Sequence, residues 1–334
     1  MAFPFFSASR PAFPFGIYPG ALLGSDTGYV QPVRPDEPTA IGAALQRLQG
    51  PAEPLLVRAY RSFPAGVLPD TPAEPLRLLG GERRLDLVLC YREPAPHPDA
   101  PLDRWLDHIR AAVGELGPHL AAVQVCEEPN VDLPPVDGSI PGVRRALVQG
   151  VVAAKEAATS AGLDLAVGFN AAPSFDPADT FWRELGELAD AEPRFRRSLD
   201  YVGVDFFPDV FRPIPPGQLA AAVTGVLTHL RTSSLAQAGI GPDVPLRICE
   251  HGWPTGPGRS EQRQAEVLAE VVRTVIGLRT EPNLGGYSCF ALRDANSAGE
   301  GRFDRFGLLH DDYTPKPAFD TYRQLIAEFG RRSG

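Results

Sequence analysis

The sequence predicts an α/β fold, a (β/α)8 TIM barrel, and three observations lead to it. Eight short runs are nearly continuous in Val, Leu, Ile and Phe, as parallel strands covered on both faces are. Helical patterns alternate with these runs along the chain. No Gly-rich GxGxxG turn follows the first run, which weakens the competing doubly wound open sheet.

The predicted strands are Phe15–Pro19, Leu55–Tyr60, Leu85–Tyr91, Ala121–Cys126, Leu163–Asn170, Tyr201–Phe207, Leu246–Glu250 and Gly286–Leu292. The predicted helices begin with Thr39–Leu48, which follows a proline and stops at Gly50. Leu102–Leu116 carries Trp105, Ile109, Val113 and Leu116 at three- and four-residue spacing, an apolar helical face. Arg144–Ala161 ends at Gly162. Asp179–Leu188, Leu219–Ala238, Glu261–Leu278 and Ala318–Phe329 complete the set. Trp105 and Trp182 belong to helical apolar faces and are assigned to the core. Only Thr71–Leu79, after the second strand, is too short and Pro-interrupted for a full helix. No solenoid-type repeat and no linker divides the chain, so residues 1–334 read as one barrel domain. Its working face is expected at the C-terminal ends of the strands, where Pro-rich stretches such as Phe211–Pro216 fall.

Composition narrows the function. Hydrophobic residues make up 43% and charged residues 22%, enough apolar material for a large core without disulfides. The net charge of −9 argues against nucleic acid and against an anionic membrane surface. No run reaches the roughly 20 apolar residues of a membrane span. Met1–Pro11 lacks a basic n-region and an unbroken apolar stretch, so a cytoplasmic location is the default expectation. Cys90, Cys126, Cys249 and Cys289 all lie in strand-like runs without a CxxC pair. They read as reduced core thiols, and no local His/Cys spacing indicates a metal. Lys155 and Lys316 are the only lysines, a bias of composition towards Arg.

Two runs carry chemistry. Val123–Val125 leads into Cys126-Glu127-Glu128-Pro129-Asn130, and Leu246–Cys249 leads into Glu250-His251-Gly252-Trp253-Pro254. Each is an apolar strand that delivers a glutamate to a rim and then breaks into a Pro- or Gly-containing loop. Glu128 would close the fourth strand and Glu250 the seventh, facing one barrel mouth from opposite sides. Two such carboxylates suffice for acid/base or nucleophilic work on a glycosidic bond. Retaining enzymes hold them about 5–5.5 Å apart, and inverting enzymes further.

These residues resemble clan A of the glycoside hydrolases, a group of retaining (β/α)8-barrel enzymes. Glu127-Glu128-Pro129-Asn130 is similar to the Asn-Glu-Pro that ends strand four there, which implies Glu128 as acid/base. Glu250-His251-Gly252-Trp253-Pro254 resembles the strand-seven motif, which implies Glu250 as nucleophile. Phe306-Gly307-Leu308-Leu309 and Thr314–Phe319 are similar to the closing segment of such barrels. The resemblance implies an O-glycoside hydrolase or transglycosidase, a carbohydrate or glycoside substrate, and no metal or organic cofactor.

The chain departs from that pattern at three places. Glu127 stands where the family has the Asn that hydrogen-bonds the sugar 2-hydroxyl, and an ionised carboxylate accepts but cannot donate. Crowding of Glu127, Glu128 and Glu250 is expected to keep a proton on at least one of them, well above the roughly 4.3 of a free Glu. Such a proton could restore the missing donor to a sugar hydroxyl. Strand six offers Asp205-Phe206-Phe207 in place of a Tyr, and strand eight ends in Phe290 in place of a Trp. Phe207 and Phe290 are therefore the aromatic substrate-binding candidates at those positions. Arg58, near the end of the second strand, could orient Glu250, or pair with a helix. Asn170 could donate to a sugar hydroxyl, or form a turn. Trp253, on the loop after Glu250, is expected to stack on a sugar face. His251 is turned away from Glu250 by strand alternation. Arg293 and Asp294 open a loop to Gly307 that reads as a rim, a lid or a solvated loop. Two other readings accompany the glycosidase: a carbohydrate-binding barrel that has lost turnover, and a barrel enzyme acting on a non-sugar metabolite.

Overall fold

The fold was analysed in a computed structural model that describes residues 12–50, 54–93, 97, 99–176 and 178–330. The reading of Met1–Pro11 lies outside the described residues. Eight parallel strands close into a barrel: β1 (Phe15–Ile17), β2 (Leu56–Phe63), β3 (Arg84–Tyr91), β4 (Leu120–Val125), β5 (Ala166–Ala171), β6 (Tyr201–Asp205), β7 (Leu246–His251) and β8 (Leu284–Cys289). Each pairs with its neighbours in sequence, and β1 closes the ring between β8 and β2. The expected (β/α)8 barrel is therefore what the chain forms.

Helices cover the barrel: α1 (Pro38–Gln49), α2 (Asp103–Leu116), α3 (Val143–Ser160), α4 (Phe181–Ala191), α5 (Leu219–His229), α6 (Glu261–Gly277) and α7 (Pro317–Phe329). Proline at the first turn opens α1 and α7, where its missing N–H costs nothing. Ser260 caps α6 by accepting from the Arg263 amide at 3.1 Å. A π turn over Leu230–Ser234 continues α5 to Gln237, so the predicted helix Leu219–Ala238 is present with an irregular middle. Among the described residues no full helix follows β2; one 3-10 turn, Pro75–Leu78, stands there, as the Pro-interrupted stretch indicated. A small hairpin, Leu23–Ser25 with Gly28–Val30, follows β1 and escaped the sequence reading, its strands being three residues each. No helix among the described residues is long and apolar enough to cross a membrane.

Side chains alternate between the helices and the barrel axis. Val57, Leu85, Val123, Val167 and Val202 join the main core under the helices. The residues between them fill the axis. Near its base lies a small separate cluster of Ala122, Tyr201 and Cys249. Glycines make room there: a Cβ on Gly168 would meet the Tyr201 carbonyl oxygen at 2.5 Å, and one on Gly203 the Cys249 sulfur at 2.6 Å. Above this plug the axis turns polar, with Arg58, Asp86, Gln124, Asn170 and Asp205 all buried. All four cysteines are buried and unpaired.

Candidate active site

Strand length decides what reaches the mouth. β2 continues to Phe63, beyond the predicted end at Tyr60. Arg58, Tyr60 and Ser62 therefore point along the axis one above another. Arg58 sits lowest and is 1% exposed. Its guanidinium donates to Asp86 at 3.2 Å, to Gln124 at 2.8 Å, to the Tyr60 hydroxyl at 2.7 Å and to Glu250 Oε1 at 3.4 Å. Burial lowers its proton affinity, but the anions Asp86 and Glu250 help hold it charged. Arg58 is thus fixed beneath Glu250 and does not line the cavity. Its contact with Glu250 fixes the position of that carboxylate and favours its ionised form.

Glu250 faces inward because β7 is irregular. Val204 pairs with Ile248, yet Asp205 pairs with Glu250, and on the other side Tyr287 pairs with Ile248 but Cys289 with His251. A bulge at this point re-aims one side chain, as bulges beside active sites do. The result sends Glu250 to the mouth and His251 outward to the Tyr287 hydroxyl, as expected for His251. Burial drives His251 down to about 3, so the ring is neutral. Glu250 receives a short hydrogen bond from the Tyr60 hydroxyl as well as the Arg58 contact. Burial raises the Tyr60 pKa well above its usual value, which keeps that hydroxyl a donor.

The Gly of Gly252-Trp253-Pro254 has a steric reason. A Cβ there would lie 1.9 Å from the Phe290 carbonyl oxygen and 2.7 Å from the Phe306 ring. The loop after Glu250 packs directly on the end of β8, and Phe290 N–H donates to the His251 carbonyl at 2.7 Å.

The strand-four rim is equally specific. Beyond Val125 the chain turns left-handed at Cys126 (φ 64°) and again at Glu128 (φ 42°). Two side chains hold this strained path. Buried Asp137 accepts from the amides of Tyr91 and Glu127, each at 2.8 Å. Asn170 Oδ1 accepts from the Glu128 amide at 2.8 Å, while its Nδ2 donates to Asp205. Both ends of the Asn170 amide are occupied and the residue is absent from the cavity wall; its contacts fix the Glu128 amide.

Glu127 lines the cavity and pairs with Arg92, which also bridges to Asp137 at 2.7 Å. The place of the expected Asn is therefore taken by an ion pair. Cys90, Glu127 and Asp137 bring a thiol and two carboxylates within 4.8 Å of one another. The Arg92 guanidinium supplies the positive charge that a cation would bring, and burial keeps the Cys90 thiol protonated.

Glu127, Glu128, Asp205 and Glu250 all border one cavity of about 930 Å³. Burial, then the charges of Glu250 and Glu127, push Glu128 up to about 8. Burial pushes Glu250 up to about 7, opposed by Arg58 and the Tyr60 hydrogen bond. Asp205 is driven well above the usual carboxylate range by burial and by Glu250 and Glu128. The charge-stabilising contacts go to Glu250, so Glu128 holds its proton to higher pH. Both carboxyls are raised, and the Arg58 and Tyr60 contacts favour the ionised form of Glu250 over that of Glu128, which suits an acid beside an ionised partner.

Phe207 and Phe290 line the cavity as expected. Trp253 does not. It is 6% exposed, donates from Nε1 to Asp209 at 3.2 Å and has Arg259 against its ring. The bend after Gly252 folds it behind the mouth, where it braces the loop. Tyr60, Asp205, Asp137 and Arg92 were missed by sequence reasoning. A period-two signal was available for Tyr60, two residues after Arg58 on the same strand face. The loop from Arg293 to Gly307 is a pinned rim. Arg293 and Asp294 are both fully buried, and Asp294 pairs with Lys316 at 2.7 Å.

No family model matches the chain, and no curated protein matches it in sequence. Solved structures resemble it in fold. A GH2 β-galacturonidase from Eisenbergiella tayi, bound to galacturonate, is 13% identical with a TM-score of 0.57, covering 87% of this chain and 47% of its own. A family 39 glycoside hydrolase from Bacteroides cellulosilyticus WH2 is 15% identical with a TM-score of 0.59, covering 94% and 63%. A β-glucosidase from Exiguobacterium marinum is 14% identical with a TM-score of 0.57, covering 98% and 99%. The chain spans about half the length of the galacturonidase. At these identities the likeness is one of fold: an eight-stranded barrel shared with glycoside hydrolases.

Proposed function

We propose that this chain is a retaining glycoside hydrolase or transglycosidase of clan A. One observation carries the reading. Of the two rim carboxylates, Glu250 is held by a cation and a hydroxyl donor, while Glu128 has neither and keeps a proton up to about 8. That is the division of labour a double displacement needs. Glu250 attacks the anomeric carbon, and its lone pair forms the new C–O bond. Glu128 gives its proton to the departing glycosidic oxygen as that C–O bond breaks. Glu128, now ionised, takes a proton from water or an acceptor hydroxyl, whose oxygen displaces Glu250. Each carboxyl is thereby restored and the anomeric configuration is kept. Asp205, driven well above the usual carboxylate range by burial, borders the same cavity and accepts from Asn170 Nδ2, while Glu127 is committed to Arg92.

The barrel shared with solved glycosidases supports the class, and the Glu250–Gly252-Trp253-Pro254 resemblance supports the mechanism. The test is a Glu128→Gln variant assayed on an activated aryl glycoside panel with and without azide. The reading expects azide to restore turnover and to yield a glycosyl azide with the configuration of the substrate. A product of inverted configuration would sink the retaining assignment.

A further inference from the structure

The cavity is divided by chemistry. Four of its carboxylates, Glu127, Glu128, Asp205 and Glu250, are gathered where β4, β6 and β7 end, while Asp26, Asp176 and Asp209 border it elsewhere. Away from the four the wall is aromatic. Phe207, Phe290 and Phe306 form an edge-to-face triad with ring centroids 5.8–5.9 Å apart. Phe211 extends this wall, 6.1 Å from Phe207. Phe211 is 51% exposed and Phe175 54% exposed, and both line the cavity. Large apolar side chains left in water around a cavity mark a place where something apolar binds. The carboxylate nearest Phe211 in sequence, Asp209, is already used by Trp253 Nε1 and the Ile214 amide, so it adds no free acceptor to the wall. The volume of about 930 Å³ is large for one sugar ring, since cavities of about 300–1,000 Å³ take whole drug-sized ligands.

We propose that this chain acts on glycosides of a bulky apolar aglycone, the sugar lying among the carboxylates and the aglycone along Phe207 and Phe306 to Phe211 and Phe175. The proposal rests on the glycosidase reading. A sugar chain in the same place would need hydrogen-bond partners at each ring. The stretch from Phe306 through Phe207 to Phe211 presents phenyl rings, with Ser174, Asp176 and Arg212 entering only beside Phe175 and Phe211 in sequence. An alkyl or polycyclic group gains by leaving water in proportion to its area.

The test reads binding and needs no turnover. The neutral dye N-phenyl-1-naphthylamine is bound to the intact chain and displaced by methyl, hexyl and octyl β-D-glucopyranoside below their micelle concentrations. Displacement is expected to tighten by about fourfold for each methylene buried. Phe211→Ser and Phe175→Ser, both at half-exposed positions, are expected to weaken dye and octyl glucoside alike, by about tenfold for Phe211. A dye that does not bind, a displacement constant independent of alkyl length, or cellotetraose displacing better than octyl glucoside would each overturn the proposal. Hydrolysis of aryl glycosides with no alkyl-length dependence sinks this inference and spares the glycosidase reading. Alkyl-length dependence with no turnover of any glycoside overturns the glycosidase reading, and this proposal with it, leaving an apolar binding wall alone.

Discussion

Tyr60 on β2 donates a hydrogen bond to Glu250 Oε1 on β7, three strands away around the ring. The sixth strand, where a tyrosine was expected, brings Asp205 instead. The hydroxyl donor to Glu250 thus comes from β2, while β6 ends in a buried carboxyl whose pKa is driven well above the usual range. Arg58, two residues before Tyr60, braces the same oxygen and the tyrosine hydroxyl together.

Tyr60→Phe removes one hydrogen bond to a charged group, a contribution of about 1.5–3 kcal/mol. The expected loss in kcat/KM is roughly 10- to 100-fold. That hydrogen bond also lowers the Glu250 pKa, so the acidic limb of the pH–rate profile should move to higher pH. Steady-state kinetics across pH checks both effects. A lower rate with an unmoved limb would mean that Tyr60 acts on substrate and not through Glu250.

The pH profile itself follows from the pair. Activity needs Glu250 ionised and Glu128 protonated, so kcat/KM should rise as pH passes about 7 and fall as it passes about 8. The two groups interact, so these limits belong to the pair. Glu128→Gln should remove the basic limb on activated substrates, which need no proton donor. A basic limb that survives the substitution would assign it to another group, Asp205 being the first to test.

The same shift has a consequence for stability. The folded-state pKa of Glu128 lies above that of the unfolded chain, so the fold favours the neutral form. This contribution is fully present below about pH 4.5 and is lost as pH rises through about 8. Glu128→Gln, a permanent neutral mimic, should be more stable than the parent at about pH 9, by on the order of 1 kcal/mol or more, with the gap closing by about pH 4. Denaturant unfolding at the two pH values measures it.

Much of the barrel was legible because its strands are apolar runs between helical patterns. The ends of the strands were not. β2 was stopped at Tyr60, and three further residues that carry the alternation to Ser62 were lost. The inward turn of Glu250 depends on a bulge, which leaves no trace in apolar patterning. Asp86 and Gln124 were visible as lone polar residues inside apolar runs, a pattern that reports a buried partner across the axis, here Arg58. Asn170 and Arg58 were picked out by residue type, yet only their contacts reveal that they position Glu128 and Glu250. Trp253 shows the opposite error: a loop aromatic beside a reactive group was read as a platform, and the turn at Gly252 carries it behind the wall.

Gly252→Ala should destabilise by about 1–3 kcal/mol, because the new methyl meets the Phe290 carbonyl oxygen, backbone that cannot swing aside, before it meets the Phe306 ring. Activity should fall further than stability explains, since the clash separates the end of β7 from β8. Chemical denaturation together with kcat/KM separates the two losses.

Lys316, one of the two lysines in the chain, bonds Asp294 and Thr255 in full burial and ties the Arg293–Gly307 rim to α7. Lys316→Met takes the buried cation from Asp294, which keeps the Gly307 amide and the Ser297 hydroxyl as donors, and should cost about 3 kcal/mol. Adding Asp294→Leu should recover part of that loss. A double variant no more stable than the single one would show that the lysine acts through packing.

The central claim is that Glu250 is the nucleophile. Incubation with 2-deoxy-2-fluoroglycosides bearing good leaving groups, across several sugars, followed by intact-mass and peptide analysis, tests it directly. One covalent glycosyl adduct is expected, mapped to Glu250 and absent in Glu250→Gln. An adduct on Glu128, Glu127 or Asp205 would contradict it.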